Sequence, residues 1–300
     1  MSRAGARSYV ALALLALLWG YSWIAVKVAI RDATPMAVAW GRCAGGAVAL
    51  LAYTAATRRP LRPPPLGPTL VYGLLQTTVF TLVQTTAVSI GAAGKAAVLV
   101  YTMPFWLTLL AWPFLGERIR GVRWLVLALA AVGLALVVLP LRTGSVLASV
   151  LPVSAGLVWA LSAVWVIRVR AAGGHDLLSL TTWQMVWGSA ALAPFALWLP
   201  VHVRWTASFV ASMAFLAVLC TALGWALWLF VLSRLPASVA GLASLATPVL
   251  AVVLAAVHVQ EIPSRTELLG VACIMVALVV NTRAPVAAPA RSVPGELAQE

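Results

Sequence analysis

The residues able to do chemistry in this chain are few, and they are aromatic and amide-bearing rather than acidic. Gln76, Phe80 and Gln84 recur every four positions, with Thr77, Thr81 and Thr85 alongside. A helix in apolar surroundings must turn such a stripe toward other helices or water, because an unsatisfied amide in hydrocarbon costs free energy. Trp19 and Trp23 are four apart and share a helix face. With Tyr101, Trp159, Trp225 and Trp228 they can wall a cavity for flat apolar molecules. Ser244 and Thr247 add hydroxyls beside Pro248. Such a set suits binding: rings receive a ring, while amides and hydroxyls receive an ammonium or a carboxylate. Interhelical packing and hydrogen bonding would use the same residues, and both uses are open to them.

Catalysis finds no comparable set. His175, His202 and His258 lie near segment ends, apart from each other and from Cys43, Cys220 and Cys273. No nucleophile–base spacing, phosphate loop or dinucleotide fingerprint occurs, and neither cofactor nor metal is expected. The acids Asp32, Glu117, Asp176, Glu261, Glu267, Glu296 and Glu300 all fall in loops, helix ends or the tail. Carriers coupled to protons or sodium often use a buried carboxylate at mid-membrane. Its absence favours passive, or only weakly proton-linked, movement of cargo. Glu117 and Glu261 are expected near the N-termini of the helices that follow them, where the helix dipole favours an anion. Ser264-x-x-Glu267 reads as a capping box. Lys27, Arg42 and Lys95 lie inside apolar segments, toward one end of each. They either snorkel to the interface or form an outer vestibule that attracts a carboxylate or neutralises Asp32. Pro104 and Pro248 are expected to kink their helices and act as hinges. With no charge at mid-membrane, affinity should be weak, around millimolar, or about −4 kcal/mol.

The elements that must position these residues follow from composition. Of 300 residues, 63% are hydrophobic and 9% charged, against about 25% charged in soluble domains. Lipid as solvent explains the difference. The net charge of +13 does not indicate nucleic acid, because the cations are scattered through short loops. Spans of about 20 apolar residues recur from Tyr9 to Thr282 and predict ten helices. An N-terminal tail, 1–8, precedes them, and a Pro- and Ala-rich disordered tail, 283–300, follows. Trp124, Trp198 and Trp205 sit at segment ends, as an interfacial belt requires. Arg3, Arg7, Arg58, Arg59, Arg62, Arg118, Arg120, Arg123, Arg168, Arg170, Arg234, Arg283 and Arg291 mark one side, against Arg31, Arg142, Arg204 and Arg265 on the other. This bias places both termini in the cytoplasm.

The two halves, 9–140 and 146–282, repeat. Trp19 and Ser22 match Trp159 and Ser162, while Ser89, Pro104 and Glu117 match Ser233, Pro248 and Glu261. Trp159, as the mate of Trp19, should approach it. Arg42 has Gln184 as its mate, and Gly116 has Gln260. Each half holds five helices, an odd number, so the halves must run in opposite orientations, as in many secondary transporters.

These same residues resemble a known family. Trp19-Gly-x-Ser-Trp-Ile-Ala-Val-Lys27 resembles the opening motif of EamA-type members of the drug/metabolite transporter superfamily. The run from Pro104 to Gly116-Glu117 is similar to that family's Pro…Gly-Glu signature, and Pro248 to Gln260-Glu261 resembles its second copy. Within the family, the tryptophan-rich character is similar to the bacterial aromatic amino acid exporters of the YddG type. The resemblance implies an all-α integral membrane protein of ten transmembrane helices in two inverted five-helix repeats. It also implies export of small metabolites across the inner membrane, with amino acids, and aromatic ones first, as cargo, and alternating access through a central cavity. The partners expected are a small-molecule substrate and the lipid bilayer, with no nucleic acid, and the protein is expected to be monomeric. The alternatives are export of another metabolite or drug class, or a membrane-embedded lipid-modifying enzyme.

Overall fold

In lipid the backbone must satisfy its own hydrogen bonds, and a helix does so within one segment. The computed structural model describes residues 3–58, 62–116, 119–138, 145–173, 176–199, 201–232, 234 and 246–283. Among them there is no strand, only one antiparallel bridge between Ala33 and Val203. The helices are α1 (Arg3–Ala29), α2 (Pro35–Ala56), α3 (Leu66–Ile90), α4 (Ala93–Leu115), α5 (Val122–Val138), α6 (Val146–Ala172) and α7 (Leu177–Trp198). They continue with α8 (Ala207–Ala214, then Phe215–Leu223 and Gly224–Leu232), α9 (Ala246–His258) and α10 (Arg265–Arg283). Six stretches, within α1, α2, α3, α4, α6 and α8, are long and apolar enough to cross a membrane; α5 and α9 are shorter apolar helices. Side chains such as Val10, Leu125, Leu197 and Val257 are exposed on the outside of this bundle, as hydrocarbon permits. Trp124, Trp198 and Trp205 are exposed as well.

Local sequence sets the helix ends. Thr34, Ser145, Asp176 and Thr206 cap α2, α6, α7 and α8, each accepting from a backbone N–H of the first turn. Ser264 and Glu267 form the expected box at the start of α10, with Ser264 N donating to Glu267 Oε2 at 2.9 Å and Glu267 N donating to Ser264 Oγ at 3.3 Å. Pro104 does not kink a continuous helix. The helix stops at Val100 and restarts at Met103, so Pro104 occupies a first turn, where its missing N–H is no loss. Thr102 Oγ1 donates to the Leu99 carbonyl at 2.6 Å. Pro248 lies in the first turn of α9, which is described from Ala246 onward, and Ser244 is outside the described residues.

Two helices widen midway. α3 winds as a π-helix over Leu74–Val79 and α8 over Phe215–Leu223. Such segments often mark functional positions. Small residues let the helices close elsewhere. A Cβ on Gly133 of α5 would stand 2.8 Å from the Gly270 carbonyl oxygen of α10, and one on Gly270 would stand 2.7 Å from that of Gly133. α2 packs on α7 and α8, α3 on α7 and α6, α1 on α8 and α9, and α4 on α6 and α9.

Candidate substrate cavity

A cavity of about 130 Å³ opens between α1, α2, α3, α4, α6, α7 and α8. Its wall includes eight of the expected residues: Trp19, Trp23, Gln76, Phe80, Gln84, Tyr101, Trp159 and Trp225. The widened segments matter here, because Gln76 and Thr77 come from one and Cys220 and Thr221 from the other. Trp19 meets Trp225 edge-on at 6.2 Å and Trp228 at 5.9 Å. Trp159 meets Phe80 and Tyr101, each at 5.7 Å. Trp19 and Trp159 therefore anchor two aromatic groups on one cavity, rather than meeting each other as their pairing in the repeat suggests. Trp228 stands against Trp19 and is not part of the wall. Thr247 is buried on α9 near the Tyr101 hydroxyl, also off the wall. Ser244 and Glu117 lie outside the described residues.

The polar side chains on the wall hold one another. Ser162 Oγ donates to Gln76 Oε1, and Thr77 Oγ1 donates to Gln184 Oε1 at 2.6 Å. Trp19 Nε1 donates to the Cys220 carbonyl at 3.1 Å, which fixes the indole that faces the cavity. Gln184 is fully buried, and its Nε2 has no hydrogen-bond partner. Arg42 is the largest departure from expectation. It lines this cavity, with Nη1 donating to Gln84 Oε1 at 3.1 Å, instead of sharing a vestibule with Lys27 and Lys95. At 1.5 Å per residue its position puts it about 10 Å inside the start of α2. The cavity wall thus carries one cation among its described residues, Arg42, rather than none.

Thr77 and Thr81, which flank the glutamine stripe, stand on the wall too, and Ser22, Cys43, Gln184, Met185, Cys220 and Thr221, which the sequence does not mark for binding, complete it. The repeat carried a usable signal for some of them. Gln184 is the mate of Arg42, and Thr221 that of Thr77. Gly188 and Gly46 are also mates, and they make the same contact: a Cβ on Gly188 would strike Thr77 and one on Gly46 would strike Thr221.

A second cavity, of about 250 Å³, lies at the end of the bundle where α1 finishes, lined by Gly91, Lys95, Ser149, Glu261, Pro263 and Glu267 among others. Here every charge is paired. Lys27 Nζ lies 3.3 Å from Glu261 Oε1 and donates to the Val88 and Gly91 carbonyls at 3.1 and 2.5 Å. Glu261 Oε2 accepts from Ala93 N at 2.6 Å. A cation thus sits at the negative end of α3 and an anion at the positive end of α4, which both helix dipoles favour. Glu261 therefore heads α4, in the other half of the chain, and not the helix that follows it. Lys95 pairs with Glu267 at 3.1 Å, so Lys27 and Lys95 are bound rather than snorkelling free. Asp32 is neutralised by neither. It accepts from Arg204 Nη2 at 2.5 Å and from Thr206 Oγ1 at 2.6 Å. These bonds, Thr206 first, hold its carboxyl below the usual carboxylate range. Among the described residues, no three His, Cys, Asp or Glu gather as a metal site, and no acid lines the central cavity.

A family model described as the EamA-like transporter family matches the chain twice, over residues 6–139 and 146–283. The chain is 26% identical over 275 residues to the uncharacterized transporter YoaV of Bacillus subtilis, covering 89% of this chain and 93% of that one. It is also 26% identical over 284 residues to the uncharacterized transporter YvbV of the same organism, covering 92% of each. A solved crystal structure of a protein 18% identical in sequence superposes with a TM-score of 0.65, covering 93% of this chain and 97% of that one. That likeness concerns the fold alone.

Proposed function

The chain belongs to the EamA-like transporter family, and from that premise we propose that it exports small metabolites across the inner membrane, with aromatic amino acids as the leading cargo. We read it as a monomer of ten crossings in two inverted five-helix repeats, 9–140 and 146–282, with both termini in the cytoplasm. The double match of the family model supports the repeat. So does the packing: the pairs α1–α9, α1–α8 and α2–α8 each have a counterpart five helices along, in α6–α4, α6–α3 and α7–α3. Backbone supports it as well. Gly116 and its mate Gln260 both take left-handed conformations, at φ of 72° and 58°. Glutamine at such a position costs roughly 1–2 kcal/mol that glycine avoids.

One observation carries the choice of cargo: both repeats deliver aromatic groups to a single cavity, Trp19 with Trp225 from one side and Trp159 with Phe80 and Tyr101 from the other. The tryptophan-rich likeness to the YddG type of exporter points the same way. The cavity measures about 130 Å³, and one of about 150 Å³ admits benzene. A phenyl ring fits with little adjustment, and an indole requires the walls to move. Movement of cargo is passive or weakly proton-linked, since no carboxylate lines the cavity among the described residues. Proteoliposomes preloaded with phenylalanine should show saturable counterflow of labelled phenylalanine in the millimolar range, and a pH gradient alone should not drive strong accumulation. Counterflow confined to sugars or nucleosides would refute the aromatic reading. Steep proton-driven uptake would refute the passive one.

A further inference from the structure

The polar inventory of the central cavity is lopsided. It holds one cation, Arg42, and no carboxylate among the described residues. Among the described residues Arg42 donates a hydrogen bond to the neutral Gln84 Oε1 and has no ion pair. A guanidinium carries five N–H donors and a fixed charge. Leaving that charge without a counter-ion inside a membrane protein is costly. Gln184, its mate in the other repeat, lies on the same wall, fully buried, with Oε1 occupied by Thr77 and Nε2 unpartnered. A buried amide donor left open is uncommon in native structures. Both vacancies ask for acceptors, and neither can serve an ammonium. The acceptors that could serve an ammonium are the hydroxyls of Ser22, Thr77, Thr81, Tyr101 and Thr221 and the amide oxygens, and those on Gln76, Gln84 and Gln184 are already engaged. Ring faces attract a cation as well, but the charge of Arg42 on the same wall opposes it.

Resting on the reading of this cavity as the cargo site, we infer that the cargo is a monocarboxylate with an apolar body, its carboxylate held by Arg42 and by the open Gln184 donor, and that its ammonium, where present, is dispensable. Two acceptor oxygens match a guanidinium fork, and the ring groups receive the remainder. An aromatic amine lacking the carboxylate would add a second cation beside Arg42 and is excluded. The site thus selects acids over amines, and an aromatic amino acid is accepted through its acid end.

Thermal unfolding of the purified full chain, titrated with 3-phenylpropionate, phenethylamine and 3-phenylpropionamide, tests this. Ligands that bind the folded state raise the midpoint with concentration. The acid should bind at least tenfold more tightly than the amine, with the amide between them. Arg42→Gln should erase the preference for acid over amine. Arg42→Lys should keep part of it, because charge remains and the fork is lost. Should Arg42→Gln fail to fold, Arg42→Lys and Gln184→Leu carry the test, each lowering the acid-to-amine ratio at least threefold. Equal or tighter binding of the amine, an undiminished preference in these variants, or no binding of any acid to the folded protein overturns the inference. Hexanoate and hexylamine separate it from the aromatic reading. If hexanoate is preferred while no aromatic compound binds, the carboxylate site stands and the aromatic cargo falls. If aromatic compounds bind irrespective of charge, the reverse holds.

Discussion

Lys27, near the end of α1, and Arg42, in α2, are both cations within apolar helices, yet their surroundings differ in kind. Lys27 is bound by a carboxylate and two helix-end carbonyls, and it ties α1 to the α3–α4 joint and to the loop before α10. Arg42 has an amide oxygen and a cavity. Pairing spends a charge on structure, and withholding a partner leaves it available to a ligand. The same contrast separates the two cavities. The larger, near Lys27, has its carboxylates and Lys95 already matched, so it offers a transported ion little. The smaller is aromatic, with one cation and no acid among the described residues of its wall.

Removing a wall of the smaller cavity should have the largest effect. Trp159→Ala takes away the ring that both Phe80 and Tyr101 lean on, and it should lower kcat/KM for cargo about 30-fold, or ~2 kcal/mol, at near-normal protein abundance. Trp205→Ala, at an indole 79% exposed, should change it less than twofold. Equal effects would dissolve the distinction between cavity and interface. Disturbing the paired end should act next in size and through a different quantity. Glu261→Gln weakens the contact to Lys27 and the cap on α4, worth about 1.5–3 kcal/mol for bonds to a charged group. Ser149→Cys in that background should react about tenfold faster with an impermeant maleimide than it does in the parent, while cargo affinity stays within threefold. A change in affinity with no change in labelling would place Glu261 at the cargo and break the contrast. The smallest effect concerns pH. Because Asp32 is held below the usual carboxylate range, near 3.9, its bonds to Arg204 and Thr206 are complete above that value. They are lost only as pH falls through the lowered one. Unfolding midpoints of the parent and Asp32→Asn should therefore differ by a constant amount from pH 5 to 8 and converge only below about pH 4. Convergence near neutrality would mean that Asp32 is not held low.

How much of this was legible in the residues depends on distance along the chain. The all-helical membrane character follows from composition and apolar runs, because lipid imposes it on every segment separately. Trp19, Gln76, Phe80 and Trp159 could be chosen for the wall because each is unusual where it stands. The partners of Lys27 could not: Glu261 and Gly91 reach it from remote parts of the sequence, and nothing local distinguishes Glu261 from a residue heading its own next helix. The widened turns at Leu74–Val79 and Phe215–Leu223 are hidden too, since their residues suit an ordinary helix equally well. The place of Arg42 is hidden as well, because its partner Gln84 lies on another helix and nothing local separates a cavity cation from one at the interface.

The unmatched guanidinium also has an electrical consequence. A carrier whose cavity faces each side in turn moves the voltage drop from one side of Arg42 to the other. Empty, such a site carries one positive charge through that change; holding a monoanion, it carries none. Each elementary charge is worth about 2.3 kcal/mol per 100 mV. A membrane that is negative inside would then do its work on the empty form, drawing it back toward the cytoplasm, while the loaded form crosses unaffected. A single arginine without a counter-ion would thus let the resting potential of the cell bias a passive carrier toward efflux of monoanions, with no proton or sodium bound at any step, whereas a net-neutral zwitterion leaves the loaded form charged and gains no such bias.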